Sequence, residues 1–227
     1  MIRRLALAAG LVLAALSPIL AEAQEDYTQR GLSVYAPRPV PPRRDGAIAS
    51  AQSAAIAQPP ASPSAADLQQ KAKAMLMEGL PRRLTLRNTN TGEQMSIVYW
   101  VEGEYDSWEL ARMAQLVSDH RQRETIAIDW RLADLMWVLS RLTGGETVLV
   151  HSGYRSEATN TVLASTNAGV ASDSLHKLGK ALDISIPGVA GRSIAGLAAA
   201  LAWGGTGYYG DAGHVHIDVG TPRTWGF

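Results

Sequence analysis

His214-Val215-His216-Ile217-Asp218-Val219 alternates polar and apolar side chains without a break. A period of two marks a β-strand with one buried face, so Val215, Ile217 and Val219 turn into a core while His214, His216 and Asp218 share the opposite face. Upstream, Ala181 to Ile186 has the same form, with Leu182, Ile184 and Ile186 on one side, Asp183 on the other, and Pro187-Gly188 as a stop. Two short strands thus each aim a metal-competent side chain away from the core.

Outward from these strands the chain mixes helices and strands without a regular strand-helix-strand alternation. Leu84 to Arg87 and Ser96 to Trp100 flank the polar turn Asn88-Thr89-Asn90-Thr91-Gly92, which predicts a hairpin. Ser107 stands where it can cap a helix carrying Leu110, Met113, Ala114 and Val117, and Asp129 where it can cap one carrying Leu132, Leu135, Met136, Leu139 and Leu142 up to Gly144-Gly145. Thr147 to Val150 predicts a buried strand, Ser156 the cap of a third helix through Leu163, Ser193 to Trp203 a helix of small residues, and Gly207 to Tyr209 a further strand. The expected class is α+β, with a central, largely antiparallel sheet flanked by helices.

The N-terminal part differs in composition. Met1 to Arg4 is basic, Leu5 to Leu20 is apolar, and Ala21-Glu22-Ala23 offers a small-x-small cleavage site, the pattern of a secretory signal peptide over residues 1–23. Export to the periplasm is the expectation, without stable membrane insertion after cleavage; Arg3-Arg4 leaves the general and the twin-arginine routes both open. Residues 24–81 are rich in Pro, Ala, Ser and Gln, including Pro-Arg-Pro-Val-Pro-Pro at 37–42, and read as a tether with a short helix around Ala66 to Met77. The folded domain is then expected over residues 82–227.

Lysine plus arginine equals aspartate plus glutamate at 21 each, so no global field draws nucleic acid, and none is expected as a partner. Cysteine is absent, which excludes disulfides, thiolate zinc ribbons and cysteine nucleophiles. Ser152 and Ser156 lack the strand-turn-helix context of a serine nucleophile. Any metal must rest on histidine and carboxylate. His176 stands at the edge of a glycine-containing loop before Asp183, and two imidazole nitrogens and one carboxylate drawn from this segment and from the His214 to Asp218 strand would make a three-ligand zinc site with a fourth position for water, the arrangement of catalytic zinc. His120 and His151 read as surface or hydrogen-bonded residues.

Ser152-Gly153-Tyr154-Arg155-Ser156, Ser174-Leu175-His176 with Gly179, Ala181 and Asp183, Gly204-Gly205-Thr206-Gly207-Tyr208-Tyr209, and Val215-His216-Ile217-Asp218 together resemble the M15-type zinc peptidases of the LAS group, most closely the murein endopeptidase K branch. The likeness runs from about Leu84 through Asp119-His120-Arg121 to Arg223-Thr224-Trp225. It implies the hedgehog and D-Ala-D-Ala peptidase type of fold. It also implies Zn2+ bound by His176, Asp183 and His216, Arg155 gripping a substrate carboxylate or carbonyl, and peptidoglycan stem peptides as substrate. Ser174 is expected to hold the loop that presents His176. His214 is the first choice of general base, although the nearest relatives often carry an aromatic at that position; Asp211 and Asp218 are the other candidates. The implied activity is endopeptidase cleavage of cross-links, with a D-Ala-trimming carboxypeptidase or a catalytically silent wall-binding module as alternatives.

Overall fold

Asn88 turns the chain by accepting the N–H groups of Asn90 (2.8 Å) and Thr91 (3.3 Å) on its side-chain oxygen, and Gly92 completes the reversal at a φ of +75°. The strands on either side, β1 (Arg82–Asn88) and β2 (Gln94–Val101), pair antiparallel as the sequence predicts. They belong to a computed structural model that describes residues 63–227 except 168, 211 and 212. The expected signal peptide, most of the expected tether and Asp211 lie outside the described residues.

The sheet continues with β3 (Glu104–Tyr105), β4 (Thr147–Ser152), β5 (Ala181–Ser185), β6 (Gly205–Tyr208), β7 (Val215–Asp218) and β8 (Arg223–Trp225). The eight strands lie in the order β3-β2-β1-β4-β5-β7-β6-β8. Only β1 with β4 and β6 with β8 run parallel, so the sheet is largely antiparallel. The helices are α1 (Ala65–Met77), α2 (Ser107–Leu116), α3 (Trp130–Thr143), α4 (Glu157–Thr166) and α5 (Gly191–Leu201). No described helix is long and apolar enough to cross a membrane.

Asp129 caps α3 and Gly144 ends it in the left-handed conformation, as its sequence predicts. Its burial exceeds an amphipathic reading: every residue from Leu132 to Ser140 is buried, because α3 packs on β1 and β4 and is covered by α1 and α5. Each large aliphatic side chain withdrawn this way contributes on the order of 1.5–3 kcal/mol. Ser156 caps α4 as expected. The cap of α2 is Asp106 rather than Ser107, since one carboxylate oxygen accepts the N–H groups of both Trp108 (2.9 Å) and Glu109 (3.1 Å).

Helix α1 lies in the stretch read as tether, and it packs. Ser64 caps it with a reciprocal capping box, Ala72 is fully buried, and Gln69 donates to the Ala200 carbonyl on α5 at 2.8 Å. The packed part of the chain therefore begins before Arg82, and that residue is an anchor rather than an edge. Its guanidinium, 6% exposed, binds Asp134 at 2.7 Å and the Leu76 carbonyl at 2.7 Å, and lies over the Trp100 ring. Tyr99 and Tyr105 donate to the same carboxylate at 3.0 and 2.7 Å; burial and Asp134 push the Tyr105 hydroxyl up to about 12, which keeps it a donor.

A second buried carboxylate fixes the loops near the sheet's polar face. Asp119, 2% exposed, accepts the Ser156 N–H and hydroxyl on one oxygen (2.9 and 2.7 Å) and the N–H groups of Arg121 and Gln122 on the other (3.0 and 3.3 Å). Burial alone would raise its pKa, but the neighbouring Thr159 and Ser156 side chains and these backbone donors lower it to about 2.

Two expectations follow from these carboxylates. Asp134→Ala leaves the Arg82 charge buried without its partner and lowers stability by about 3–5 kcal/mol in urea unfolding at neutral pH. Because Asp119 is depressed from 3.8 to about 2, its contribution is complete above the unfolded value and lost as pH falls through the folded one. Wild type's excess stability over Asp119→Asn should accordingly shrink by roughly half between pH of about 5 and about 3. A pH-independent difference between the two proteins contradicts that role.

Candidate metal centre

Asp183 on β5 and His216 on β7 are direct cross-strand partners, so their side chains leave the same face of the sheet side by side. Leu182 and Ile184, with Val215 and Ile217, point to the other face and into the apolar core. The third residue comes from a single turn of 3₁₀ helix, Leu175–Leu178, capped by the Ser174 hydroxyl, which accepts the His176 N–H at 3.4 Å. Gly179 ends that turn at a φ of +63°, where a Cβ would meet the Ala127 carbonyl oxygen at 2.5 Å, so only glycine lets the chain run from His176 into β5.

These elements bring His176, Asp183 and His216 together as three buried residues whose ligand atoms lie within 4.8 Å of one another. His176 Nε2 is 3.2 Å from His216 Nδ1, and Asp183 Oδ1 is 3.4 Å from the first and 3.1 Å from the second. The outer ring nitrogens decide what these inner atoms offer. His176 Nδ1 sits 2.7 Å from the Gly153 carbonyl, which only accepts, so Nδ1 carries the hydrogen and Nε2 presents a lone pair. His216 Nε2 sits 3.1 Å from Asp218 Oδ2, so in the neutral ring its Nδ1 likewise presents a lone pair. Two lone pairs and a carboxylate oxygen then face one another. One proton shared among them answers a single pair, whereas a cation answers all three.

The electrostatics agree. Burial opposes charge on His216, but the Asp183 and Asp218 carboxylates overcome it and raise its pKa. Burial lowers His176. Burial also works against ionised Asp183, yet the two histidines hold it well below the usual carboxylate range. A site that stabilises positive charge between fixed imidazole and carboxylate atoms fits a divalent ion bound by nitrogen and oxygen.

The surrounding residues fix the three donors. Asp183 Oδ2 is tied at 2.6 Å to Arg155, whose Nε donates to Ser152 Oγ at 2.8 Å, leaving Oδ1 directed into the cluster. Asp218, fully buried, accepts from Gly205 (2.7 Å), Gly220 (2.9 Å), Arg223 (2.7 Å) and His216. Burial opposes its ionisation, but these donors, His216 first, keep it far below the carboxylate range. Such a residue orients His216 from behind. Gly207 lets the Trp225 ring lie against its backbone, and that ring stands 5.1 Å from the ring of His216.

His214 stands beside the cluster, its ring 5.3 Å from that of His151 and 5.1 Å from that of Tyr209. His151 is hydrogen-bonded, as expected, to Ser185 Oγ at 2.7 Å. Two cavities adjoin the cluster, one of about 220 Å³ and one of about 530 Å³, and both are lined by Arg155, Asp183 and His214. Of the tyrosines in the Gly204 to Tyr209 run, Tyr209 lines the larger cavity, while Tyr208 packs on the core. Sequence reasoning had no geometric route to the Arg155–Asp183 pair or to Trp225 beside His216; the Arg223-Thr224-Trp225 motif was the one signal for the latter.

The comparisons with known proteins point the same way. The family described as Peptidoglycan L,D-endopeptidase MepK matches residues 77–225. Among curated relatives, the Peptidoglycan L,D-endopeptidase MepK of Escherichia coli K12 is 38% identical over 162 residues, covering 71% of this chain and 89% of the relative. The Probable peptidoglycan L,D-endopeptidase MepK of Haemophilus influenzae is 34% identical over 154 residues, covering 67% and 83%. With a histidine-aspartate-histidine cluster on the polar face of its sheet and a family match across its described domain, this chain belongs to the M15-type MepK family of peptidases.

Proposed function

We propose that this protein is an exported, zinc-dependent endopeptidase that hydrolyses the cross-linked stem peptides of peptidoglycan. The observation that carries the reading is the convergence of His176 Nε2, His216 Nδ1 and Asp183 Oδ1, with both outer ring nitrogens already committed to Gly153 and Asp218. Zinc is the ion this donor set favours: two imidazoles and a singly bound carboxylate leave a position open. Held there, the ion supplies Lewis acidity, polarising an amide carbonyl and acidifying water.

The chain's own groups do the rest. His214, at the junction of the two cavities, is placed to accept the proton lost by water and return it to the leaving amine. Arg155 gives one N–H to Asp183 and its Nε to Ser152, and lines both cavities, where its remaining N–H groups suit a substrate carbonyl or carboxylate. Two separate cavities meeting at Arg155, Asp183 and His214 favour cleavage within a peptide over trimming of a terminal residue, which needs only one. The N-terminal pattern over residues 1–23 supports export to the periplasm, and the Pro-rich stretch after it supports a tether that lets the domain reach an extended polymer.

Removing any one of the three ligands, in His176→Ala, Asp183→Ala or His216→Ala, should abolish bound zinc and lower muropeptide cleavage by about a thousandfold or more. Asp218→Asn should keep the ligands but weaken zinc binding about 10–100-fold, because His216 loses the carboxylate that orients it. Metal analysis and zinc titration against a competing chelator, alongside mass analysis of cleaved muropeptides, check both. A triad variant that retains zinc and turnover refutes the assignment, and zinc binding without new products supports the wall-binding module instead.

A further inference from the structure

Three guanidinium groups line the two cavities, and two of them are committed. Arg155 is bound to Asp183 at 2.6 Å and Arg223 to Asp218 at 2.7 Å. The third, Arg121, lines the smaller cavity and has no carboxylate partner among the described residues. It belongs to the Asp119-His120-Arg121 run, which the metal cluster does not use.

Its position is built rather than incidental. Asp119 is a buried carboxylate without a cationic partner among the described residues, and its two oxygens are spent on four donors. Two of those donors belong to the turn that carries Arg121. The other two belong to Ser156, the residue after Arg155. A reciprocal pair of backbone bonds between Asp119 and Glu124 (2.9 and 3.1 Å) closes the same turn. The backbone bearing Arg121 is thereby fixed to the backbone bearing Arg155. With Asp119 satisfied by its donors and Asp183 by Arg155 and the cluster, the formal charge left over in the smaller cavity is that of Arg121.

We propose that the smaller cavity receives the substrate on the amine side of the scissile bond, and that Arg121 selects it by pairing with the free carboxylate beside that amine. This rests on the peptidase reading above. In an L,D cross-link the scissile nitrogen is carried by a D-configured centre, and the same carbon bears a carboxyl group. A small lobe with one uncommitted guanidinium fits that charged centre, because the planar fork pairs with carboxylate through two parallel hydrogen bonds. The larger lobe then takes the acyl side.

The test compares two cross-linked muropeptides that differ only at that centre, one with the carboxylate free and one with it converted to a carboxamide. They are given to zinc-loaded protein as wild type, Arg121→Ala and Arg121→Lys, with zinc content and thermal midpoint measured for each. Wild type should prefer the free carboxylate by about tenfold to a hundredfold in kcat/KM, the range of a charge-assisted pair. In Arg121→Ala that ratio should collapse toward one through a raised KM, while Arg121→Lys keeps part of it because the charge remains and the fork is lost. A wild-type ratio near one, or an Arg121→Ala protein that keeps the wild-type ratio, overturns the subsite and leaves the peptidase reading intact. Zinc-loaded wild type that cuts neither muropeptide overturns both.

Discussion

His176 Nε2, His216 Nδ1 and Asp183 Oδ1, facing one another within 3.4 Å in a buried place, are the constraint on which the register of this sheet depends. His176, Asp183 and His216 are 2%, 4% and 6% exposed, and burying such polar groups without compensation costs several kcal/mol. The register that pairs Asp183 with His216 cannot slip by one residue: a slip would turn both into the apolar core and expose Leu182, Ile184, Val215 and Ile217. Each member is also held from behind, His176 by Gly153, His216 by Asp218 and Asp183 by Arg155. The atoms behind the cluster are thereby used, and the three that face one another are the ones that could hold a cation.

Much of this was legible because alternation is a strong signal. The two strands that carry Asp183 and His216 alternate cleanly, and their wet faces were assignable without coordinates. The hairpin at Asn88, the caps at Asp129 and Ser156 and the stop at Gly144 followed from local chemistry. What escaped the sequence was set by tertiary partners. The short helix expected around Ala66 to Met77 forms as α1, but its few large apolar side chains left it assigned to the tether, whereas Ala72 is buried and Gln69 docks on α5. Strands β3 and β8, two and three residues long, are too short to show a period. The choice of Asp106 over Ser107 as a cap turned on one carboxylate reaching two N–H groups.

In the site, residue types gave the three candidate donors but not the division of labour among their atoms. Nothing in the sequence says that Asp183 gives one oxygen to the cluster and the other to Arg155, or which nitrogen of each histidine looks inward. Those assignments come from the outer partners, a backbone carbonyl in one case and Asp218 in the other. They also separate two rigid tasks. The Arg82–Asp134 network and the core of α3 hold the far side of the sheet, while Asp119, Asp218 and Gly179 fix the loops on its working face. The site rests on strands and pinned turns, which is where a reaction geometry is best kept.

The most direct test of the central claim is an anomalous-difference map, recorded on either side of the zinc absorption edge, from crystals of the protein loaded with one equivalent of zinc. One peak is predicted per chain, touching His176 Nε2, His216 Nδ1 and Asp183 Oδ1, with Gly153 and Asp218 still on the outer nitrogens. No peak, or a peak held by other residues or by the opposite ring nitrogens, would contradict the account at its root.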